Sequence, residues 1–361
     1  MDQQRILSAD SHVVEPPDLW TEGIEPEFRQ RAPRLEHLPD GDVYTCEGME
    51  PAEIASLSAA GDLEVTFTTK GRWEGAVRTG AYDPHARLVD MERDGVDLEI
   101  VYPTVALRMF AIEDPALRRA CFSAYNDWVA DFCRAYPDRL KGIGMVATDD
   151  EDLAVAELER ICRLGLVGPM ISVRPDRPDY VQPKFDRFWS TAVELGMPVS
   201  LHVGTNGERQ RPIAEATVGE LCTISVSAQQ TLVDLIFGGV FVRHPELMVI
   251  SVEHSAGWVP FLMQSMDSAF HIKAATHLNE GLKASDYFRR NIRLTFMRDD
   301  VAIRYRNEIG IDLLLWSTDY PHRESTFPHS REVLSKMMVG VPDDEQNQIA
   351  CGNTAALYRL N

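Results

Sequence analysis

Basic residues are scarce in this chain. Lys and Arg number 36 against 56 Asp and Glu, a formal net charge of −20 over 361 residues. A surface of that sign repels phosphate backbones and anionic headgroups, so neither nucleic acid nor membrane is expected as a partner. The six cysteines, Cys46, Cys121, Cys133, Cys162, Cys222 and Cys351, contain no C-x-x-C pair. That spacing rules against a zinc ribbon or a dithiol redox motif and leaves reduced thiols in a cytoplasmic protein. No apolar run reaches the length of about 18 residues that a spanning helix needs. No basic then apolar leader opens the chain, so no signal peptide is expected. A G-x-S-x-G elbow and a P-loop are also missing, and GIGMV at 142–146 is not a dinucleotide fingerprint.

What the chain does have is eight short apolar runs, at 5–10, 97–103, 140–147, 168–174, 198–203, 247–254, 292–297 and 312–319. Most are almost continuously aliphatic, as strands buried on both faces of a parallel sheet must be. Helical periodicity lies between them, at 84–96, 115–136, 151–164, 184–196, 257–270, 299–309 and 343–358. Alternating strands and helices imply βαβ units, and eight of them predict a closed (β/α)8 TIM barrel spanning 1–361 as a single domain. Residues 21–82, with a Thr-rich, strand-like piece EVTFTTKGRW, are expected to form an insertion or flap after the first strand. Residues 204–246 read as a polar loop followed by a long helix.

Barrel active sites form where the C-terminal strand ends meet. Those ends carry Asp10 and His12 with Glu15 just beyond, then Arg174, His202, Glu253 and His254, and finally Asp319 followed by His322. Asp10 and His12 are alternate residues on a strand, so their side chains share a face and can grip one cation. Adding His202 and Asp319 makes a mixed nitrogen–oxygen set suited to divalent Zn, Mn or Fe. Glu15, His254 and His322 crowd the same mouth as further candidate ligands, which leaves open one ion or two. Arg174, Arg298 and Arg323 are candidate holders of a substrate anion. Trp20, Phe296 and Trp316 are candidate apolar walls for an aromatic or terpenoid-like substrate.

The segments SADSHVVEPPDLW, DPHARLVDMERDGVDLEIVYPT, NDWVADFCRAYPDRLKGIGMV, PVSLHVG, VEHSAGWVP and WSTDYPHRESTFP resemble the amidohydrolase-related family, in order and over nearly the whole chain. This is the branch of the amidohydrolase superfamily that contains the aminocarboxymuconate semialdehyde and resorcylate decarboxylases. The resemblance implies metal ligands at Asp10, His12, His202 and Asp319, an acid/base or water-orienting role for His254, and a homodimer. The superfamily often opens H-x-H, whereas this chain has Asp at the first position, which favours a harder ion such as Mn or Fe. The bridging Lys of dinuclear relatives is missing from the fourth strand, with Arg174 nearby instead.

The expected activity is hydrolysis or non-oxidative decarboxylation of a small carboxylated substrate, with His254, Asp319 and Arg174 as the catalytic side chains. The alternative is a dinuclear non-haem iron monooxygenase that hydroxylates a terpenoid or acyl-CoA substrate with O2. Metal content separates the two. A non-catalytic metal-binding scaffold is a third reading, but no candidate ligand is visibly lost from the sequence.

Overall fold

The computed structural model describes residues 4–54, 57–61, 70–174, 179–206, 217–272, 278 and 281–360. Eight of its strands run parallel: β1 (Leu7–His12), β5 (Leu98–Tyr102), β6 (Leu140–Met145), β7 (Gly168–Ile171), β8 (Val199–His202), β9 (Val249–Val252), β10 (Ile292–Phe296) and β11 (Leu314–Trp316). They pair in the order β1-β5-β6-β7-β8-β9-β10-β11, a nearly closed barrel with helices between the strands. Almost every strand residue is buried, as the aliphatic runs require.

A shared grammar sets the helix ends. Asp83 and Asp114 each cap a helix that begins with proline, at Pro84–Asp94 and Pro115–Arg134. Asp150 caps Glu151–Leu164. An N-cap carboxylate satisfies backbone N–H groups that the first turn leaves unpaired. Gly95 at φ +74° and Gly165 at φ +87° then end their helices in the left-handed region and turn the chain back to the next strand. The glycines of GIGMV serve packing. A Cβ on Gly142 would lie 2.8 Å from Leu166, and one on Gly144 would lie 2.8 Å from Ile161.

Hydroxyls join the first strand to the segment after the last. Ser11 Oγ donates to Ser8 Oγ at 2.8 Å, and Thr318 Oγ1 lies 3.1 Å from Ser8 Oγ and 2.9 Å from Ser11 Oγ. The Thr318 amide donates to Ser8 Oγ, the Asp319 amide to Asp10 O and the His12 amide to Tyr320 O. Beside this seam Arg87 is fully buried, paired with Glu99 at 2.6 Å and donating to His12 O at 2.7 Å.

Four findings differ from the sequence reading. The segment 21–82 contains an antiparallel sheet of β2 (Arg34–Leu38), β3 (Gly41–Cys46) and β4 (Met49–Glu53), none of which the hydrophobic pattern marked. Its strands are short and partly exposed, so they carry no aliphatic run. Residues 64–69 of the expected Thr-rich strand lie outside the described residues, and Trp73 instead opens the short helix Trp73–Ala76. The expected helix 343–358 is interrupted by a π-turn at Gln348–Gly352. The helix Ser330–Met337 was not anticipated. Its first residue is tied to the buried Asp94, which accepts from both the amide and the hydroxyl of Ser330.

Candidate metal centre

Asp10 and His12 end β1, His202 ends β8, and Asp319 follows β11. All four are buried. His12 Nε2 lies 3.3 Å from Asp10 Oδ1 and 3.3 Å from Asp319 Oδ1, and His202 Nε2 lies 3.6 Å from Asp10 Oδ1. The Tyr102 ring supports both imidazoles, its centre 5.1 Å from that of His202 and 6.1 Å from that of His12.

The tautomers follow from the backbone. His12 Nδ1 donates to Pro103 O at 2.6 Å, and His202 Nδ1 donates to Val203 O at 2.8 Å. A carbonyl only accepts, so each Nδ1 carries a proton, and each Nε2 presents a lone pair when its ring is neutral. Burial lowers His202, but Asp10 outweighs it and raises His202 above its ordinary value. Asp10 Oδ1, His12 Nε2, His202 Nε2, His254 Nε2 and Asp319 Oδ2 are all buried without a hydrogen-bond partner. Buried polar atoms are rarely left so. Convergent lone pairs at one mouth fit a divalent cation, and second bonds from ligand imidazoles to carbonyls are the usual way such ligands are oriented.

Electrostatics point the same way. Burial raises Asp10, but His12 and His202 more than reverse this and hold it far below the carboxylate range. Burial and the Asp10 charge keep Asp319 well above that range, and burial with Asp319 does the same to Glu253. Burial depresses His12 to about 3, His254 to about 3 and His322 to about 4. These three imidazoles are neutral at pH 7 and able to act as ligands or bases.

Other expected site residues fall differently. Glu15 is buried but engaged elsewhere: it accepts from the Thr104 amide at 3.3 Å, the Val105 amide at 2.9 Å and the Ala106 amide at 3.0 Å. Both of its oxygens are thereby used, and it stands in neither of the two clusters with metal-ligand spacing, which are Asp10, His12, His202 and Glu253, and His12, Asp319 and His322. Burial nonetheless pushes it up to about 7 against those bonds. His254 also falls outside those clusters. Its Nδ1 shares a hydrogen bond with Ser251 Oγ at 3.1 Å, leaving Nε2 open. His322 leans on the His12 ring at 4.1 Å, with Nδ1 2.7 Å from Asp319 Oδ1 and Nε2 3.1 Å from Thr104 Oγ1.

Arg174 is half-exposed and faces Asp234 at 3.7 Å rather than any of the four buried side chains. Arg298 donates to the carbonyls of Glu324 and Ser325, bracing the loop behind Asp319. Trp20 is not a wall of the mouth. It is buried in the core, and its indole donates to Cys121 O at 3.0 Å.

Glu253 stands closer to the centre than its place in the sequence indicates. Its Oε2 lies 3.7 Å from His202 Nε2, and it completes a cluster with Asp10, His12 and His202. Consecutive residues on a regular strand point to opposite faces. Here Glu253 at φ 64° and Ser255 at φ 56° break the alternation, so both Glu253 and His254 reach the centre. Asp319 at φ 56° is likewise left-handed. Such strain is uncommon for non-glycine residues and gathers at functional sites.

The amidohydrolase family profile matches residues 62–360. Gamma-resorcylate decarboxylase of Polaromonas sp. (strain JS666) is 28% identical over 265 residues, which is 70% of this chain and 80% of that protein. An amidohydrolase of Mycobacterium avium subsp. paratuberculosis K-10 superposes with a TM-score of 0.81 at 18% identity, covering 99% of this chain and 98% of that one. A dihydroxybenzoic acid decarboxylase from Polaromonas sp. JS666, with bound manganese and the inhibitor 2-nitroresorcinol, superposes with a TM-score of 0.68 at 20% identity, covering 99% and 98%.

Proposed function

Because this chain belongs to the amidohydrolase family, we propose that it is a metal-dependent decarboxylase of a small aromatic carboxylate. The observation that carries this reading is the grouping of Asp10, His12 and His202 with Glu253 at metal-ligand spacing, with Asp319 Oδ1 3.3 Å from His12 Nε2. These residues would hold one divalent ion. Manganese is the first choice, given the bound ion of the dihydroxybenzoic acid decarboxylase and the hard oxygen ligands. When bound, the ion supplies positive charge that anchors and polarises substrate oxygens.

The protein's own groups do the proton work. His254 Nε2 is neutral and unpartnered and can accept the proton of a substrate hydroxyl, the anion that forms beside it offsetting the burial that holds it near 3. Asp319 would ligate the ion as a carboxylate, so the proton on His254 is the one available to the ring carbon. As the carbon–carbon bond breaks and CO2 leaves, the electron pair stays on the ring carbon and takes that proton. Hydrolysis would instead use the same base on water.

A single ion is preferred because Glu15 spends both oxygens on amides, while His322, which stands with His12 and Asp319 at metal-ligand spacing, bonds Asp319 and Thr104 through its two nitrogens. That weakens the two-iron, O2-dependent alternative. The same reading keeps the chain a cytoplasmic homodimer, which light scattering and cell fractionation test. No helix among the described residues is long and apolar enough to cross a membrane.

The decisive measurement pairs elemental analysis with CO2 release from dihydroxybenzoate under nitrogen. The expected result is one equivalent of metal in the native protein, none in His12→Ala, and anaerobic turnover. Two irons per chain with turnover only in air would replace this reading with the monooxygenase.

A further inference from the structure

One buried hydroxyl has no part in the chemistry above, yet it touches a side chain beside the metal-binding cluster. Thr104 follows β5, and its Oγ1 lies 3.1 Å from His322 Nε2. Its backbone is clamped. The amides of Thr104, Val105 and Ala106 all donate to the buried Glu15 carboxylate, at the start of the 3-10 turn Ala106–Ala111. On the far side of the ring, His322 Nδ1 is 2.7 Å from Asp319 Oδ1. Four residues from three separate strand ends therefore form one chain of contacts, Glu15 to the 104–106 turn to His322 to Asp319.

With the His322 ring neutral and Asp319 Oδ1 as the acceptor, the two hydrogen bonds have one direction. Asp319 Oδ1 accepts, whether the carboxylate is ionised or keeps its proton on Oδ2. His322 Nδ1 must then be the donor, and the neutral ring has only a lone pair at Nε2. Thr104 must donate into that lone pair. A ring lacking this donor is free to turn or to change tautomer, and either loosens the carboxylate it aims.

We propose that Thr104, fixed by Glu15, is a positioning residue: its hydroxyl locks His322 in the Nδ1–H form and so aims Asp319 into the cluster. This rests on the reading of Asp10, His12, His202 and Asp319 as a metal centre. It gives Glu15 a role other than ligation, and one that a turn held merely for folding would not need.

The test uses the full-length protein with Thr104→Val, Thr104→Ser and Glu15→Gln. Manganese affinity is measured by chelator competition, and histidine tautomers by nitrogen-15 NMR of the metal-free protein, with the His322 signals assigned by their loss in His322→Gln. Thr104→Val is expected to weaken manganese roughly 10–100-fold, the usual cost of removing an outer partner of a ligand. It should also shift His322 away from the Nδ1–H form. Thr104→Ser should restore both, and Glu15→Gln should reproduce part of each loss with the metal stoichiometry unchanged.

Native affinity and a native His322 tautomer in Thr104→Val would overturn the proposal while leaving the metal centre standing. If the native protein binds no manganese but the tautomer shift appears, the metal reading fails and the positioning of His322 survives. Should Thr104→Val not fold, Glu15→Gln decides alone: an unchanged affinity and tautomer there refutes the inference.

Discussion

At the scale of single residues, His254 offers the cleanest separation of binding from chemistry. It has no ligand-distance partner set, and its Nε2 is open. His254→Gln should keep its metal and lose about 10²–10⁴-fold in turnover, the usual worth of a general base. The same variant reports on stability. Burial holds His254 near 3 against an ordinary 6.5, so between those values the unfolded chain binds more protons than the folded one. Its contribution is fully present above 6.5 and drains away as pH falls toward 3. The melting temperature of the metal-free protein should therefore fall with acid less steeply in His254→Gln than in the native chain, and parallel curves would contradict this. Much of the cluster was legible in sequence because strand ends converge whatever lies between them. Glu15 was misassigned because its backbone donors come from residues 104–106, which sequence distance hides. Glu253 is legible as a strand-end residue but not as a ligand candidate beside His202, because strand alternation predicts one inward residue of a neighbouring pair, and the backbone at Glu253 is left-handed.

Among the elements, helix and strand positions were readable where burial is two-sided and caps are explicit. The antiparallel sheet β2–β4 was not, since strands exposed on one side carry little aliphatic signal. The glycines of β6 show how close the layers run. In Gly144→Ala the added methyl would meet Ile161 at 2.8 Å, an overpacking expected to cost about 1–3 kcal/mol. Combining it with Ile161→Val should recover part of that cost, because the two sites share the space. Urea denaturation of the two single variants and the double one measures the coupling, and strictly additive losses would show that the clash is relieved elsewhere.

For the whole molecule, the core is large, but the centre still draws like charges together. Asp319 and Glu253 both resist ionisation beside Asp10, so a bound cation relieves repulsion as well as adding bonds. A ligand at 1,000 times its Kd stabilises by about 4 kcal/mol. EDTA should therefore lower the melting temperature of the native protein by several degrees and leave that of His202→Ala where it was. The hydroxyl seam adds a constraint of another kind, one of time. Ser11 and Thr318 stand 307 residues apart in the chain. At synthesis rates of about 5–20 residues per second, roughly 15–60 s separate their emergence. Throughout that interval Asp10 and His12 exist without the aspartate that faces them. The set of candidate ligands is thus complete only near the end of translation, once Asp319 has emerged.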